Sequence, residues 1–162
     1  MQVTAYVALG TNLGDLKENL DNALLRLREK GLQITKVSTY IDTDPYGVID
    51  QPRFLNAVCE VRTELLARQL LEMLLQTELE MGRVRLRRWG ERIIDLDLLF
   101  YGSEIINEPD LTVPHPDMQN RDFVLRPLAE IAPDKVHPLL HKTISQLWQE
   151  YLEKKDTNEV RT

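Results

Sequence analysis

The chain predicts an α+β fold, a ferredoxin-like β-α-β-β-α-β sandwich with additional C-terminal helices. Three observations in its 162 residues lead there. Two hydrophobic periods, near 2 and near 3.6, alternate along the chain. Glycines stand where each of the first two helical patterns stops, and two further helical patterns follow the last strand.

Residues 2–9 place Val3, Ala5, Val7 and Leu9 on one face, the period of a half-buried strand. Gly10-Thr11-Asn12-Leu13-Gly14 breaks that pattern. From Asp15 onward Leu16, Leu20, Ala23, Leu24 and Leu27 form a helical stripe. Asp15 with Glu18 reads as a capping box and Gly31 as the C-cap. A second strand fits residues 33–41. Two prolines and a glycine make residues 42–52 a long loop, and loops of that length are often functional. A third strand over 54–63 turns Leu55, Ala57, Cys59 and Val61 one way. The next helix, from about 66 to 81, buries Leu66, Leu70, Met73 and Leu74 and stops at Gly82. A fourth strand covers 93–101. Helical patterns near 123–131 and 144–154 would cover the face the sheet leaves open. No repeat or linker divides the chain, so residues 1–162 read as one domain.

Composition narrows the function classes. Hydrophobic residues are 43% and charged residues 28%, ordinary for a soluble globular protein. No segment approaches the roughly 20 apolar residues of a membrane span. The single cysteine, Cys59, cannot form an internal disulfide, and its alternation with Leu55, Ala57 and Val61 places it in the core. Met1-Gln2-Val3-Thr4 lacks the basic stretch of a signal peptide, so a cytoplasmic location is expected. A monomer is expected from the acidic exterior. The net charge of -6 argues against a general nucleic-acid binder. An RNA-binding module would also carry aromatics within its central strands, and 54–63 offers only Phe54 at its end. Five arginines nevertheless crowd into residues 83–92. Such a patch on an acidic chain suits one small polyanion.

The chemistry concentrates in Ile93-Ile94-Asp95-Leu96-Asp97-Leu98-Leu99-Phe100. On a strand, Asp95 and Asp97 point to one side, roughly 6–7 Å apart. Ile94, Leu96, Leu98 and Phe100 then face the core. Paired carboxylates on a rigid strand can share Mg²⁺, which takes one or two carboxylates together with waters and substrate phosphates. The plain alternative is a solvated sheet face, where Asp is depleted. Arg83, Arg85, Arg87, Arg88 and Arg92 enter the same strand and could clamp transferring phosphoryl groups. A phosphoryl-transfer site is the leading reading. No Walker-type phosphate loop or kinase motif is present. Phe54 and Asn56 share a strand face, an aromatic plane beside an amide that suits a flat heterocycle, or equally an aromatic lid on the core. His137 and His141 have helical ligand spacing, but Pro138 interrupts the turn and no third ligand is near.

Four separated blocks carry a family resemblance. They are Ala8-Leu9-Gly10-Thr11-Asn12-Leu13-Gly14-Asp15; Thr43-Asp44-Pro45 through Gln51-Pro52-Arg53-Phe54-Leu55-Asn56-Ala57; Gly82-Arg83-Val84-Arg85 through Arg88-Trp89-Gly90-Glu91-Arg92-Ile93-Ile94-Asp95-Leu96-Asp97; and Val113-Pro114-His115 through Asn120-Arg121-Asp122-Phe123. Over nearly all of residues 2–133 the chain resembles the 6-hydroxymethyl-7,8-dihydropterin pyrophosphokinases. The resemblance implies a ferredoxin-like fold and transfer of pyrophosphate from MgATP to the pterin hydroxymethyl group, releasing AMP, in folate biosynthesis. It implies that Asp95 and Asp97 bind two Mg²⁺ ions, with Arg83, Arg92 and Asp97 catalytic. Pterin-binding positions would be Thr43, Asp44, Pro45, Tyr46, Phe54, Asn56 and Phe123, together with Trp89 on a closing loop. ATP-binding positions would be Glu78, Arg85, Arg92, Leu98, Thr112, His115 and Arg121. Glu91, Pro116, Asp110 and Leu75 depart from residues common in the family. Another two-metal phosphoryl or nucleotidyl transferase would use the same carboxylates.

Overall fold

The structure is a computed structural model that describes residues 1–43, 52–82 and 93–161, with side chains of the final helix described to Asp156. Its main sheet is antiparallel, in the order β2 (Gln33–Val37), β4 (Phe54–Thr63), β1 (Val3–Thr11), β5 (Asp95–Tyr101); β3 (Ile41–Thr43) also pairs with β4. Helices α1 (Leu16–Glu29) and α2 (Ala67–Glu80) make the two crossovers. The split β-α-β order expected from the hydrophobic periods is therefore present.

Local chemistry sets the boundaries. The Asp15 side chain accepts from the Glu18 amide at 3.1 Å, closing the start of α1. At its end Gly31 has φ +94°, and the Gly31 and Leu32 amides donate to the Arg28 and Leu27 carbonyls. That pair of bonds is a Schellman ending, which glycine adopts without a Cβ penalty. α2 begins one residue later than its apolar pattern suggests. Leu66 is 67% exposed because it is the N-cap residue, its amide donating to Gln69 Oε1, and Ala67 takes the inward position.

Two strands differ from their expected form. The strand expected over 33–41 is interrupted at residues 38–40, where Ser38 N donates to Val58 O and Ser38 Oγ accepts from Val58 N. The side chain replaces a rung of the ladder, and the chain resumes as β3. In β5 the register against β1 shifts between Tyr6 and Val7, whose partners are Phe100 and Leu98. Leu99 is the extra residue of a bulge. Phe100 thereby turns away from Leu96 and Leu98, onto the face that carries Leu99.

The sheet separates two cores. One, beneath α1 and α2, gathers Val7, Leu9, Leu20, Leu27, Cys59, Leu70, Leu74 and Leu96. The other holds Tyr6, Val58, Leu99, Phe100, Leu125, Leu128 and Ile144 beneath α3 (Asp122–Ile131) and α4 (Ile144–Arg161). Between β5 and α3 runs a short hairpin, β6 (Ile106–Glu108) and β7 (Leu111–Val113), then a single 3-10 turn, Met118–Asn120. His137 belongs to the second core. Its ring meets Phe100 edge-on, and its Nδ1 accepts from the Leu139 and Leu140 amides. Among the described residues no three His, Cys, Asp or Glu are arranged to hold a metal. Also among them, no helix is long and apolar enough to cross a membrane.

Candidate active site

Cross-strand register builds the site. Asn56 pairs with Gly10 and Gly10 with Asp95; in the next row of that face, Val58 pairs with Ala8 and Ala8 with Asp97. Directly paired residues project to the same side of an antiparallel sheet. Asn56, Asp95 and Asp97 therefore share one face, with Asn56 and Asp95 about 10 Å apart across two strand spacings.

At the β4 end of this row the Asn56 amide donates to Thr43 Oγ1 at 2.5 Å. A Cβ on Gly10 would lie 2.8 Å from Asn56 Oδ1 and 3.7 Å from Phe54 Cδ1, so the missing side chain makes room for the carboxamide. Phe54 is half-buried on the same face. Phe123, in the first turn of α3, packs against the second core, and the Arg121 guanidinium lies 5.7 Å from its ring centroid. Because α3 lies over β4 and β3, both aromatics border the same corner of the sheet.

At the β5 end lies a cleft of about 220 Å³ along the outer edge of the strand. Glu78, Asp95, Asp97, Leu98, Thr112 and His115 line it, together with Leu71, Leu75, Asp110 and Leu111. Glu78, 3% exposed on α2, accepts the Leu96 amide at 2.7 Å. The bond satisfies a donor on the unpaired side of β5, directly between the two aspartates. His115 is anchored by its amide to Leu99 O at 2.9 Å, and its Nδ1 accepts from the Asp117 amide at 3.3 Å. Burial, with the Arg121 charge adding, pushes His115 down to about 4 against the opposing pull of Asp117 and Asp95. The ring is neutral at pH 7, with Nε2 carrying the proton. Asp117 Oδ2 accepts from Arg121 Nε at 3.3 Å, so Asp117 steadies two candidate residues, His115 through its backbone amide and Arg121 through its carboxylate.

The described part of the expected site thus converges on two neighbouring regions, with the aspartates between them. Thr43, Phe54 and Asn56 gather at one, with Phe123 on the helix that lies over β3 and β4, and Glu78, Leu98, Thr112 and His115 line the other. Asp44, Pro45, Tyr46, Arg83, Arg85, Trp89 and Arg92 lie outside the described residues. Gly10, Asn12 and Asp117 were not among the expected binding residues. Asn12 is 2% exposed and donates to Pro52 O at 3.2 Å, tying the end of β1 to the chain just before Phe54. The hydrophobic period ends at Leu9, whereas β1 runs on to Thr11 and so holds Gly10 within a strand, where a close approach is expected.

Paired carboxylates at the edge of a ferredoxin-like sheet, between an amide–aromatic corner and a cleft, are the arrangement of a group-transfer enzyme. The chain belongs to the 7,8-dihydro-6-hydroxymethylpterin-pyrophosphokinase (HPPK) family, matching it over residues 6–133. A Haemophilus influenzae protein named 2-amino-4-hydroxy-6-hydroxymethyldihydropteridine pyrophosphokinase is 49% identical over 137 residues, 84% of this chain and 86% of that protein. A Bacillus subtilis protein of the same name is 47% identical over 132 residues, 81% of this chain and 79% of that one. A solved Plasmodium falciparum HPPK-DHPS structure with pteroate superposes at a TM-score of 0.78 and 17% identity over 95% of this chain. This chain spans 45% of that one, and the likeness establishes the shared fold.

Proposed function

We propose that this protein transfers pyrophosphate from MgATP to the hydroxymethyl group of 6-hydroxymethyl-7,8-dihydropterin, releasing AMP, a step of folate biosynthesis. The observation that carries the reading is the position of Asp95 and Asp97, between a corner suited to a flat heterocycle and a cleft suited to a nucleotide. The pterin hydroxyl oxygen bonds to the β-phosphorus while the bond from that phosphorus to the AMP oxygen breaks. AMP leaves and the hydroxyl proton is released.

Asp95 and Asp97 fit magnesium: both are hard oxygen donors, half-exposed on one face of a rigid strand. Two Mg²⁺ ions held there would neutralise phosphate charge and favour ionisation of the hydroxyl. Phe54 and Phe123 would enclose the pterin, with Asn56 reading its edge and Thr43, Asp44, Pro45 and Tyr46 completing the pocket. Glu78 keeps the strand between the aspartates in place. Neutral His115 can donate from Nε2 to a phosphate oxygen at physiological pH, and Arg121, Leu98 and Thr112 complete the nucleotide side. Arg83, Arg85 and Arg92 would offset charge on the transferring and leaving groups, and Trp89 would help exclude water. Residues 1–162 act as one domain, monomeric and cytoplasmic.

Product analysis after mixing the protein with MgATP, with and without the pterin, tests the reading. AMP should form only with the pterin, in step with a diphosphorylated pterin. ADP or free pyrophosphate would instead assign a phosphoryl or nucleotidyl transferase. The Asp97→Ala protein should stay folded and make no AMP, and normal turnover by it would remove the metal assignment.

A further inference from the structure

Arg68 stands where helix electrostatics disfavour it. It is in the first turn of α2, beside the positive end of the helix dipole, and that turn contains no acidic residue. Its partners lie 40 and 42 residues away, at the tip of the β6–β7 hairpin. Arg68 Nη1 reaches Asp110 Oδ1 at 2.9 Å and Oδ2 at 3.0 Å, while Nη2 donates to Glu108 Oε1.

This contact bridges the two walls of the cleft. Leu71, Leu75 and Glu78 form the α2 wall; Asp110, Leu111 and Thr112 form the hairpin wall. A hairpin with three paired positions per strand is marginal unless something holds it. Leu111 and Val113 are buried in the first core, leaving the tip at Glu108 and Asp110 exposed. Charge matters as much as placement. Asp110 lines the cleft beside Glu78, Asp95 and Asp97, and the described lining residues include no lysine or arginine.

We infer that Arg68 is a positioning residue for the nucleotide: it neutralises the Asp110 and Glu108 carboxylates at the rim so that a polyphosphate can enter an otherwise acidic cleft. The inference rests on the nucleotide-binding reading proposed above. It concerns affinity for the nucleotide, and it leaves the chemical step and the pterin corner untouched.

The test is calorimetric binding of the magnesium complex of α,β-methylene ATP, with wild-type protein measured alongside each variant. Arg68→Gln should bind it roughly fivefold more weakly at low salt, a modest loss because the charge network is exposed. The deficit should shrink as salt screens the two carboxylates. Adding Glu108→Gln and Asp110→Asn to Arg68→Gln should restore affinity, and Arg68→Lys should retain most of it. The kcat at saturating MgATP and the KM for the pterin should stay near wild type. Unchanged affinity in Arg68→Gln overturns the inference while leaving the proposed function standing. A deficit that persists in the triple variant and at high salt also overturns it. Wild-type protein that binds no analogue at all overturns both this and the nucleotide reading.

Discussion

A methyl group at position 10 is the smallest change that separates the two substrate regions. A Cβ there would stand 2.8 Å from Asn56 Oδ1, and the carboxamide cannot swing aside without losing its bond to Thr43. Gly10→Ala should therefore cost the fold only on the order of 1 kcal/mol, the worth of one hydrogen bond. It should cost pterin affinity far more, since the reading amide is displaced, while MgATP affinity stays near wild type. Separate calorimetric titrations with pterin and with nucleotide check this. An unchanged pterin affinity would mean that Asn56 does not read the ring. The aspartates were legible in the sequence because a period of two needs no knowledge of the rest of the chain. The role of Gly10 was not, because it depends on which residue of β4 lies opposite.

At the scale of elements, the buried Glu78 carboxylate holds the edge strand β5 from outside, between the two aspartates. Glu78 accepts the Leu96 amide, and the aspartates on either side inherit their alignment from that bond. Glu78→Ala would orphan a buried donor, at a cost of about 1–3 kcal/mol. Glu78→Gln keeps an acceptor and should cost less. Hydrogen exchange at the Leu96 amide should accelerate markedly in the alanine variant and only slightly in the glutamine one, with magnesium-dependent nucleotide binding weakened in the same order. Equal protection in all three proteins would remove Glu78 from this role. Helices and central strands were readable from periodicity, since α3 and α4 match the patterns near 123–131 and 144–154. Features set by contacts between distant segments were not. Ser38 breaks its strand by bonding Val58, Leu99 bulges against β1, and the β6–β7 hairpin has strands too short for a period to register.

For the whole molecule, two histidines stay neutral, one half-buried at the cleft and one buried in the second core. His115 faces Arg121, Asp117 and Asp95 at the cleft, and burial is the largest reason it sits near 4. His137 is 3% exposed in the second core, where burial lowers it first and the His141 and Lys135 charges add to the effect. Protonating it would also remove the acceptor used by the Leu139 and Leu140 amides. An unfolded histidine titrates near 6.5. Between that value and about 4 the unfolded chain binds more protons than the native one, so stability rises with pH across this window. The contribution is fully present above about pH 6.5 and is lost as the medium is acidified, with His115 alone worth about 2–3 kcal/mol. The carboxyls of Glu60 and Glu80 are held below their ordinary range, so their losses begin lower, under about pH 4.5. Urea denaturation from pH 4 to pH 8 should therefore give an unfolding free energy that climbs to about pH 6.5 and then levels. Replacing His115 by Gln should flatten part of that climb without moving the neutral plateau by a comparable amount. A wild-type curve that is level from pH 4.5 to pH 6.5 would mean that both rings already accept a proton in the native state, and the neutral donor assigned to His115 would have to be abandoned.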